Sequence, residues 1–170
     1  MKRALLSLVL LCISLPLYAA LVDQSEIVAL YDRERSGMRA YQAGDYESAF
    51  ELLSVTATKG LKESQYLVAL MLLKGQGVGK STLAGLAWLG VAIESGNEEW
   101  LDTFNMMYES LNQEQRAMID AAVKRFVDKY GGSVQGVSCS KRPLAGSHRA
   151  ELRCSKSEGI YPDHEFEPMQ

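Results

Sequence analysis

An internal repetition constrains the fold of this chain more than any other feature of its sequence. Residues 81–96 align with residues 45–60 at an offset of 36, and small residues mostly meet small ones while large apolar residues meet large ones. Each unit ends in a glycine, which suits the left-handed end of a helix. A period in the mid-thirties is typical of solenoid repeats made of two helices and a turn. The repetition therefore predicts stacked helical hairpins.

The turn inside the second unit also contains Gly79-Lys80-Ser81, which matches the end of a nucleotide-binding P-loop. That motif needs a first glycine at position 74, where its backbone amides would cradle phosphates. Position 74 is Lys74, and no later apolar run ends in an aspartate that would hold magnesium. A helical turn is favoured, and a nucleotide-binding or enzymatic role for these residues is the alternative.

A longer segment of this region resembles a known family. Residues 73–78 (LKGQGV), followed by Trp88, Ala92 and Gly96, are similar to a Sel1-like repeat, a relative of the tetratricopeptide repeat. Residues 44–46 with Ala49 resemble the matching half of the preceding unit, so that the resemblance covers roughly residues 36–100. It implies a helical scaffold that binds proteins or peptides. The expected repeat core is Ala49, Leu52, Gly60, Gly75, Gly77, Trp88, Ala92 and Gly96.

The N-terminus has the three parts of a secretory signal peptide. Lys2 and Arg3 precede an apolar run that ends at Pro16, and small residues follow at Ala19 and Ala20. An uncleaved anchor helix is the alternative, but the run is short for a membrane span and Pro16 interrupts it. We expect residues 1–20 to be a cleaved Sec-type signal and the mature chain to be periplasmic or secreted, without stable membrane insertion.

Cleavage also changes the charge and the cysteine count. Loss of Lys2 and Arg3 takes the formal net charge from −3 to −5, which argues against nucleic acid as a partner. Loss of Cys12 leaves Cys139 and Cys154, an even number in an oxidising compartment, and predicts a disulfide. Two free thiols are the alternative. The paired spacing of a zinc site is absent, so no metal and no cofactor are expected.

Helical periodicity and turn residues predict one all-α domain over residues 21–132. Its six helices span residues 23–43, 46–59, 62–74, 81–95, 97–110 and about 112–130, and pair into about three hairpins. Asp45 and Asn112 are expected helix caps, with Glu114 or Gln115 completing a capping box. Gly131 and Gly132 are expected to end the last helix.

The remaining residues differ in composition from the helices. Residues 133–157 have few apolar residues and several turn signals, and predict a short β-hairpin-like module whose outer ends are tied by the disulfide. The spacing of Cys139, Gly146-Ser147-His148 and Cys154 resembles a Cys…Gly-Ser-Arg/His…Cys segment of small exported bacterial proteins. Residues 158–170 are polar with two prolines and are expected to be disordered.

These patterns give little support to catalysis. His148 and His164 are the only histidines: no acidic residue is fixed to orient His148, and His164 lies between Asp163 and Glu165 in the tail, where it is expected to be solvated. The predicted function is an exported, non-catalytic helical-repeat scaffold that binds a protein or peptide in the bacterial envelope. Its concave face is built from the first helix of each hairpin. The candidate partner-binding residues on that face are Arg39, Tyr41, Gln65, Tyr66 and Tyr108.

Overall fold

The computed structural model describes residues 26–143, 146, 150–159 and 161–167. The expected signal peptide and His148 lie outside these residues. The described elements are α1 (residues 26–43), α2 (Tyr46–Thr58), α3 (Lys62–Lys74), α4 (Thr82–Ala92), α5 (Glu98–Glu109), α6 (Gln113–Tyr130), β1 (Val137–Pro143) and β2 (Ala150–Lys156). The fold is thus all-α helical hairpins with a two-stranded tail, as predicted.

Side-chain caps fix where most of these helices begin. Asp45 accepts a hydrogen bond from the Ser48 backbone N–H at 3.3 Å, and Asn97 accepts one from the Trp100 N–H at 3.2 Å. Asn112 and Gln115 form a complete capping box at the start of α6. Each cap satisfies a backbone donor that the first turn leaves unpaired, which typically stabilises a helix by about 1 kcal/mol.

The fourth helix is shorter than the sequence predicts. α4 ends at Ala92, and Ile93–Ser95 continue as a 3-10 turn before Gly96, which has φ +81°. A tighter last turn is a common way to use the free carbonyl groups at a helix end. The chain then enters α5 directly, because Asn97 is already the cap of that helix.

The helices stack so that α3 packs between α2 and α4, while α4 also packs along α6. Glycine permits the close approach at the α3–α4 interface. A Cβ atom on Gly85 would lie 2.6 Å from Leu73 Cγ.

Trp88 lies at the centre of the core and is fully buried. Its ring stacks on Tyr130 at 4.8 Å and meets the edge of Phe126 at 5.1 Å between ring centroids. Ala49 and Ala92 are also fully buried. The predicted core position at Leu52 is wrong by one residue: Leu53 is fully buried, whereas Leu52 is half-buried. A one-residue step turns a helical side chain by about 100°, and Leu53 is the one that faces the core.

The predicted disulfide joins Cys139 and Cys154 in a two-stranded antiparallel hairpin. It lies inside the hairpin, because Val137 pairs with Lys156 beyond it, and the expectation that it ties the outer ends is corrected. The hairpin contacts the helices at both ends. The Lys156 N–H donates to Tyr31 Oη at 2.9 Å, and Lys141 Nζ contacts Glu98 at 2.9 Å.

The expectation that residues 158–170 are disordered is wrong for residues 161–167. This segment has no regular secondary structure, but its side chains contact α2, α4 and α6. The physical reason is Phe166, whose ring stacks on Trp88 at 5.4 Å and helps to cover the aromatic core. One half-buried aromatic side chain places against the helices a segment that composition alone assigns to solvent.

Removing the disulfide should loosen the hairpin and spare the helices. The loop it closes spans 15 residues in sequence, and the chain-entropy model gives such a loop about 3 kcal/mol. In a Cys139→Ser, Cys154→Ser double variant, amide exchange should rise in residues 137–156 while the far-UV circular dichroism stays helical. Loss of most of the helical signal would instead show that the hairpin completes the helical core.

Candidate functional site

A cleft lies between the first helices and the hairpin. It has a volume of about 330 Å³ and is lined by residues of α1, the start of α3, α5 and β2. We call it the first-helix cleft and define it by Tyr31, Glu34, Glu63, Trp100, Leu152 and Arg153. Concave sites that combine apolar walls with a few polar groups are the usual form of a binding site.

Aromatic side chains form one side of the first-helix cleft. Trp100 is 5% exposed and stacks face to face with Tyr66, at 4.5 Å between centroids and 9° between planes. The Asn97 cap sets the position of Trp100, because it holds the first turn of α5. Tyr41 lies near Tyr66: burial, and then the neighbouring hydroxyls of Tyr46 and Tyr66, raise the pKa of Tyr41.

Two carboxylates line the cleft beside these rings. Glu34 is half-buried and accepts a hydrogen bond from Ser64 Oγ at 2.7 Å, and the Ser64 hydroxyl accepts one from Thr56 at 2.7 Å. Burial raises the pKa of Glu34 against the opposing hydrogen bond from Ser64. Partial burial against the cleft walls, and secondly the negative charge of Glu34, also raise the pKa of Glu63. The Glu63 side chain still reaches solvent.

Neither carboxylate has a cation within ion-pair distance among the described residues. The two cations that line the cleft, Lys62 and Arg153, contact other acids. Lys62 Nζ is buried and contacts Glu94 at 2.7 Å, and Arg153 contacts Glu151 at 2.8 Å. The two carboxylates are thus left without an ion-pair partner among the described residues, and a positively charged ligand would supply one.

The structure brings together only part of the predicted partner-binding set. Tyr66 stacks on the cleft residue Trp100, with Tyr41 nearby. Arg39 is exposed on α1 and donates to Ser36 Oγ at 3.0 Å. Tyr108 lies away from the cleft, where its hydroxyl donates to Asp120 on α6 at 2.9 Å.

Gln65 is a wrong prediction, because its side chain is fully buried and cannot touch a partner. Its Nε2 donates to the Ala57 carbonyl at 3.0 Å and to the Tyr130 carbonyl at 2.8 Å, joining α2, α3 and α6. Gln65 and Tyr66 are neighbours in sequence and point about 100° apart around α3. Only Tyr66 points away from the interior.

Sequence reasoning missed most of the residues that define the first-helix cleft. Tyr31 and Glu34 lie on α1, Trp100 on α5, and Leu152 and Arg153 on β2, so long stretches of chain separate them. The one local signal was Trp100, one of only two tryptophans, directly after a predicted helix start.

The alternative based on Gly79-Lys80-Ser81 does not have the geometry of a P-loop. The segment before the turn is the helix α3, whereas a P-loop follows a strand. Lys80 is exposed, and Ser81 Oγ accepts the Ala84 N–H at 3.3 Å as the cap of α4. These residues serve the turn between α3 and α4.

The described residues contain neither a metal-binding cluster nor a helix that could span a membrane. No group of three or more histidine, cysteine or acidic side chains in this part of the chain is arranged to hold a metal ion. None of the described helices is both long and apolar enough to cross a membrane.

Replacing Glu34 by glutamine should stabilise the protein at neutral pH. The folded-state pKa of Glu34 lies above its ordinary value of 4.5, so the folded chain holds this proton more tightly than the unfolded chain does. Ionisation as the pH rises through both values therefore costs stability. The melting temperature of Glu34→Gln should exceed that of the wild type at pH 7, and the gain should vanish below about pH 4.5. Exposed Glu109→Gln is the control, and a lower melting temperature for Glu34→Gln at pH 7 would contradict the assignment.

Comparisons with known proteins support the fold. No protein-family model matches the chain, and no curated protein matches it in sequence. In structure it is similar to a protective antigen of uropathogenic Escherichia coli strains whose crystal structure displays an SLR, or Sel1-like repeat, fold. The TM-score is 0.53 and the identity 18%, and the match covers 61% of this chain but only 23% of that protein. The likeness shows a Sel1-like-repeat fold for part of this chain.

Proposed function

We propose that this protein is an exported helical-repeat scaffold of the bacterial envelope that binds a protein or peptide segment in the first-helix cleft and catalyses no reaction. The observation that carries the proposal is the cleft, in which Glu34 and Glu63 lie beside the Tyr66–Trp100 stack and form no ion pair with any described residue. Helical-repeat proteins commonly bind extended partners along the face formed by one set of helices.

The chemistry of the cleft favours a basic side chain of the partner. A lysine or arginine would place its cation between the two carboxylates and its stem along the aromatic rings. Arginine and lysine are attracted to the faces of tryptophan and tyrosine as well. Ionisation of the half-buried Glu34 carboxyl costs the free protein stability, and groups kept at such a cost are often functional.

The domain division that goes with this function is a signal peptide at residues 1–20, a repeat domain at 21–132, a disulfide-tied module at 133–157 and a tail at 158–170. The Cys139–Cys154 disulfide supports an oxidising compartment. Intact-mass measurement of the periplasmic protein tests the export directly. A chain that lacks its first 19 or 20 residues is expected, and a full-length cytoplasmic chain would overturn the localisation.

Peptide display tests the binding function. The wild-type protein should select peptides enriched in lysine and arginine next to apolar residues. The Glu34→Gln, Glu63→Gln double variant should lose this enrichment and bind the selected peptides at least about tenfold more weakly, as one lost charge-assisted contact implies. Glu109→Gln, Glu114→Gln removes the same charge elsewhere and should behave as the wild type.

Two results would contradict the proposed function. One is a wild-type selection with no preference for basic residues. The other is an enrichment that the cleft variant and the distant control change equally, because this would show a general effect of net charge with no contribution from the cleft.

A further inference from the structure

The segment of residues 161–167 lies in a second groove of the molecule, formed by the second helix of each hairpin. We call it the second-helix groove and define it by Phe50 of α2, Lys59 directly after α2, Trp88 of α4, and Arg125, Lys129 and Tyr130 of α6. It shares no residue with the first-helix cleft, so its role is independent of the function proposed above.

An aromatic anchor holds the segment in the second-helix groove. The ring of Phe166 lies parallel to Trp88, with 5.4 Å between centroids and 5° between planes, and meets Phe50 edge-on at 5.3 Å. Tyr130 Oη donates a hydrogen bond to the Glu165 carbonyl at 2.8 Å, which fixes the backbone beside the anchor. An aromatic side chain in a pocket of aromatic residues is a common anchor of peptide recognition.

Ion pairs hold both ends of the segment. Asp163 contacts Lys59 Nζ at 2.7 Å at one end. Glu167 contacts Lys129 at the other end and lies 3.8 Å from Arg125. The groove thus pairs a cation at the end of α2 and cations of α6 with acids on both sides of the phenylalanine.

The segment has the features of a bound peptide. It forms no helix or strand, and it meets the helices through the Phe166 ring, two ion-paired ends and single backbone hydrogen bonds. From this geometry we infer that the second-helix groove is a binding site for an extended acidic segment of a partner protein with the spacing Asp-x-x-Phe-Glu, which competes with the chain's own Asp163, Phe166 and Glu167.

Because residues 161–167 belong to the same chain as the groove, they occupy it in preference to weakly binding segments of other proteins. A segment joined to its site by a short linker has an effective concentration on the order of millimolar. A free segment of the same sequence therefore binds the intact chain poorly. Weakening the resident segment without removing it should open the groove to a segment added in trans.

A synthetic peptide of residues 161–167 with a fluorescent label tests the inference. Fluorescence anisotropy should show binding to the full-length Phe166→Ala variant at least about tenfold tighter than to the wild type, because the variant's own segment has lost its anchor. A peptide with alanine at the phenylalanine should not bind. Within the Phe166→Ala chain, Lys129→Glu should abolish binding. Lys124→Glu, whose side chain pairs with Asp128 on α6, should leave binding unchanged.

Circular dichroism shows whether Phe166→Ala keeps its helical fold. If Phe166→Ala does not fold, the peptide-binding measurement uses Glu167→Lys, since this change removes the ion pairs of Glu167 and leaves the aromatic core intact. Absence of peptide binding at millimolar concentration to a folded variant would overturn the inference, as would equal effects of Lys129→Glu and Lys124→Glu. Concentration-dependent dimerisation of the wild type that Phe166→Ala abolishes would assign the groove to a second copy of the chain, and would also overturn it.

Discussion

Truncation of Trp88 to alanine should lower the free energy of unfolding by about 3–5 kcal/mol, as is typical for a fully buried tryptophan. The side chain is 0% exposed and contacts Phe126 and Tyr130. Its removal would leave a cavity where α4 meets α6, because packed helices relax only partly. At roughly 2–4 °C for each kcal/mol, the melting temperature should fall by about 6–20 °C.

Two further variants separate packing from other effects of the Trp88 change. Trp88→Phe should cost much less than Trp88→Ala, because it keeps a ring in the stack and removes an Nε1–H that has no hydrogen-bond partner among the described residues. Met106→Ala changes a side chain that is 69% exposed and should stay within about 0.5 kcal/mol of the wild type. An unchanged melting temperature for Trp88→Ala would refute the core assignment.

Replacing Gly77 by alanine should be the second most damaging change. Gly77 has φ +67°, and a Cβ there would lie 2.2 Å from the backbone oxygen of Tyr46, at the start of α2. The left-handed conformation alone costs an alanine about 1–2 kcal/mol. Overlap with a backbone atom adds about 1–3 kcal/mol more, because the turn must move away from α2.

Gly44 provides a matched control for this prediction. It has φ +81°, but a Cβ there would meet nothing within 4 Å. Gly44→Ala should therefore lower the free energy of unfolding only by the cost of the left-handed backbone conformation, about 1–2 kcal/mol. Urea unfolding of the two variants measures the difference between their free energies of unfolding. This difference reports the contact between the turn at Gly77, in one repeat, and α2, the second helix of the repeat before it. Equal costs for both variants would contradict that contact.

The helical architecture could be predicted from the sequence because its signals are local. Caps such as Asp45 and Asn112 lie at the helix starts, and the spacing of Trp88, Ala92 and Gly96 falls within one helix and its end. Such signals depend on neighbours a few residues apart. Errors of one residue remained, as at Leu52, because helical periodicity indicates which face of a helix is buried but does not fix the residues at the boundary of that face.

The faces of α3 could not be predicted in the same way. This helix is packed on two sides, against α2 and α4, so its apolar residues do not form a single stripe. Gln65 then looked like a polar residue on an open face. Its burial depends on carbonyl acceptors at Ala57 and Tyr130, and the second of these is 65 residues away in sequence.

The first-helix cleft and the course of residues 161–167 depend on still longer separations. Glu34 and Arg153 meet at one cleft only after the hairpin has folded back onto α1. Phe166 lies in a polar stretch beside prolines, and its role depends on an aromatic surface formed by three helices. Neither composition nor periodicity carries that information.

Site-specific photocrosslinking tests most directly whether the first-helix cleft is the partner-binding surface. A photoreactive amino acid is placed at Arg153, a cleft residue with a 63% exposed side chain, or at Lys124 on α6, which is 76% exposed. In cells that naturally produce the protein, irradiation should give a cross-linked product from position 153 that the Glu34→Gln, Glu63→Gln change abolishes, and none from position 124. A product from position 124 but not from 153, or one that the cleft variant leaves unchanged, would contradict the account.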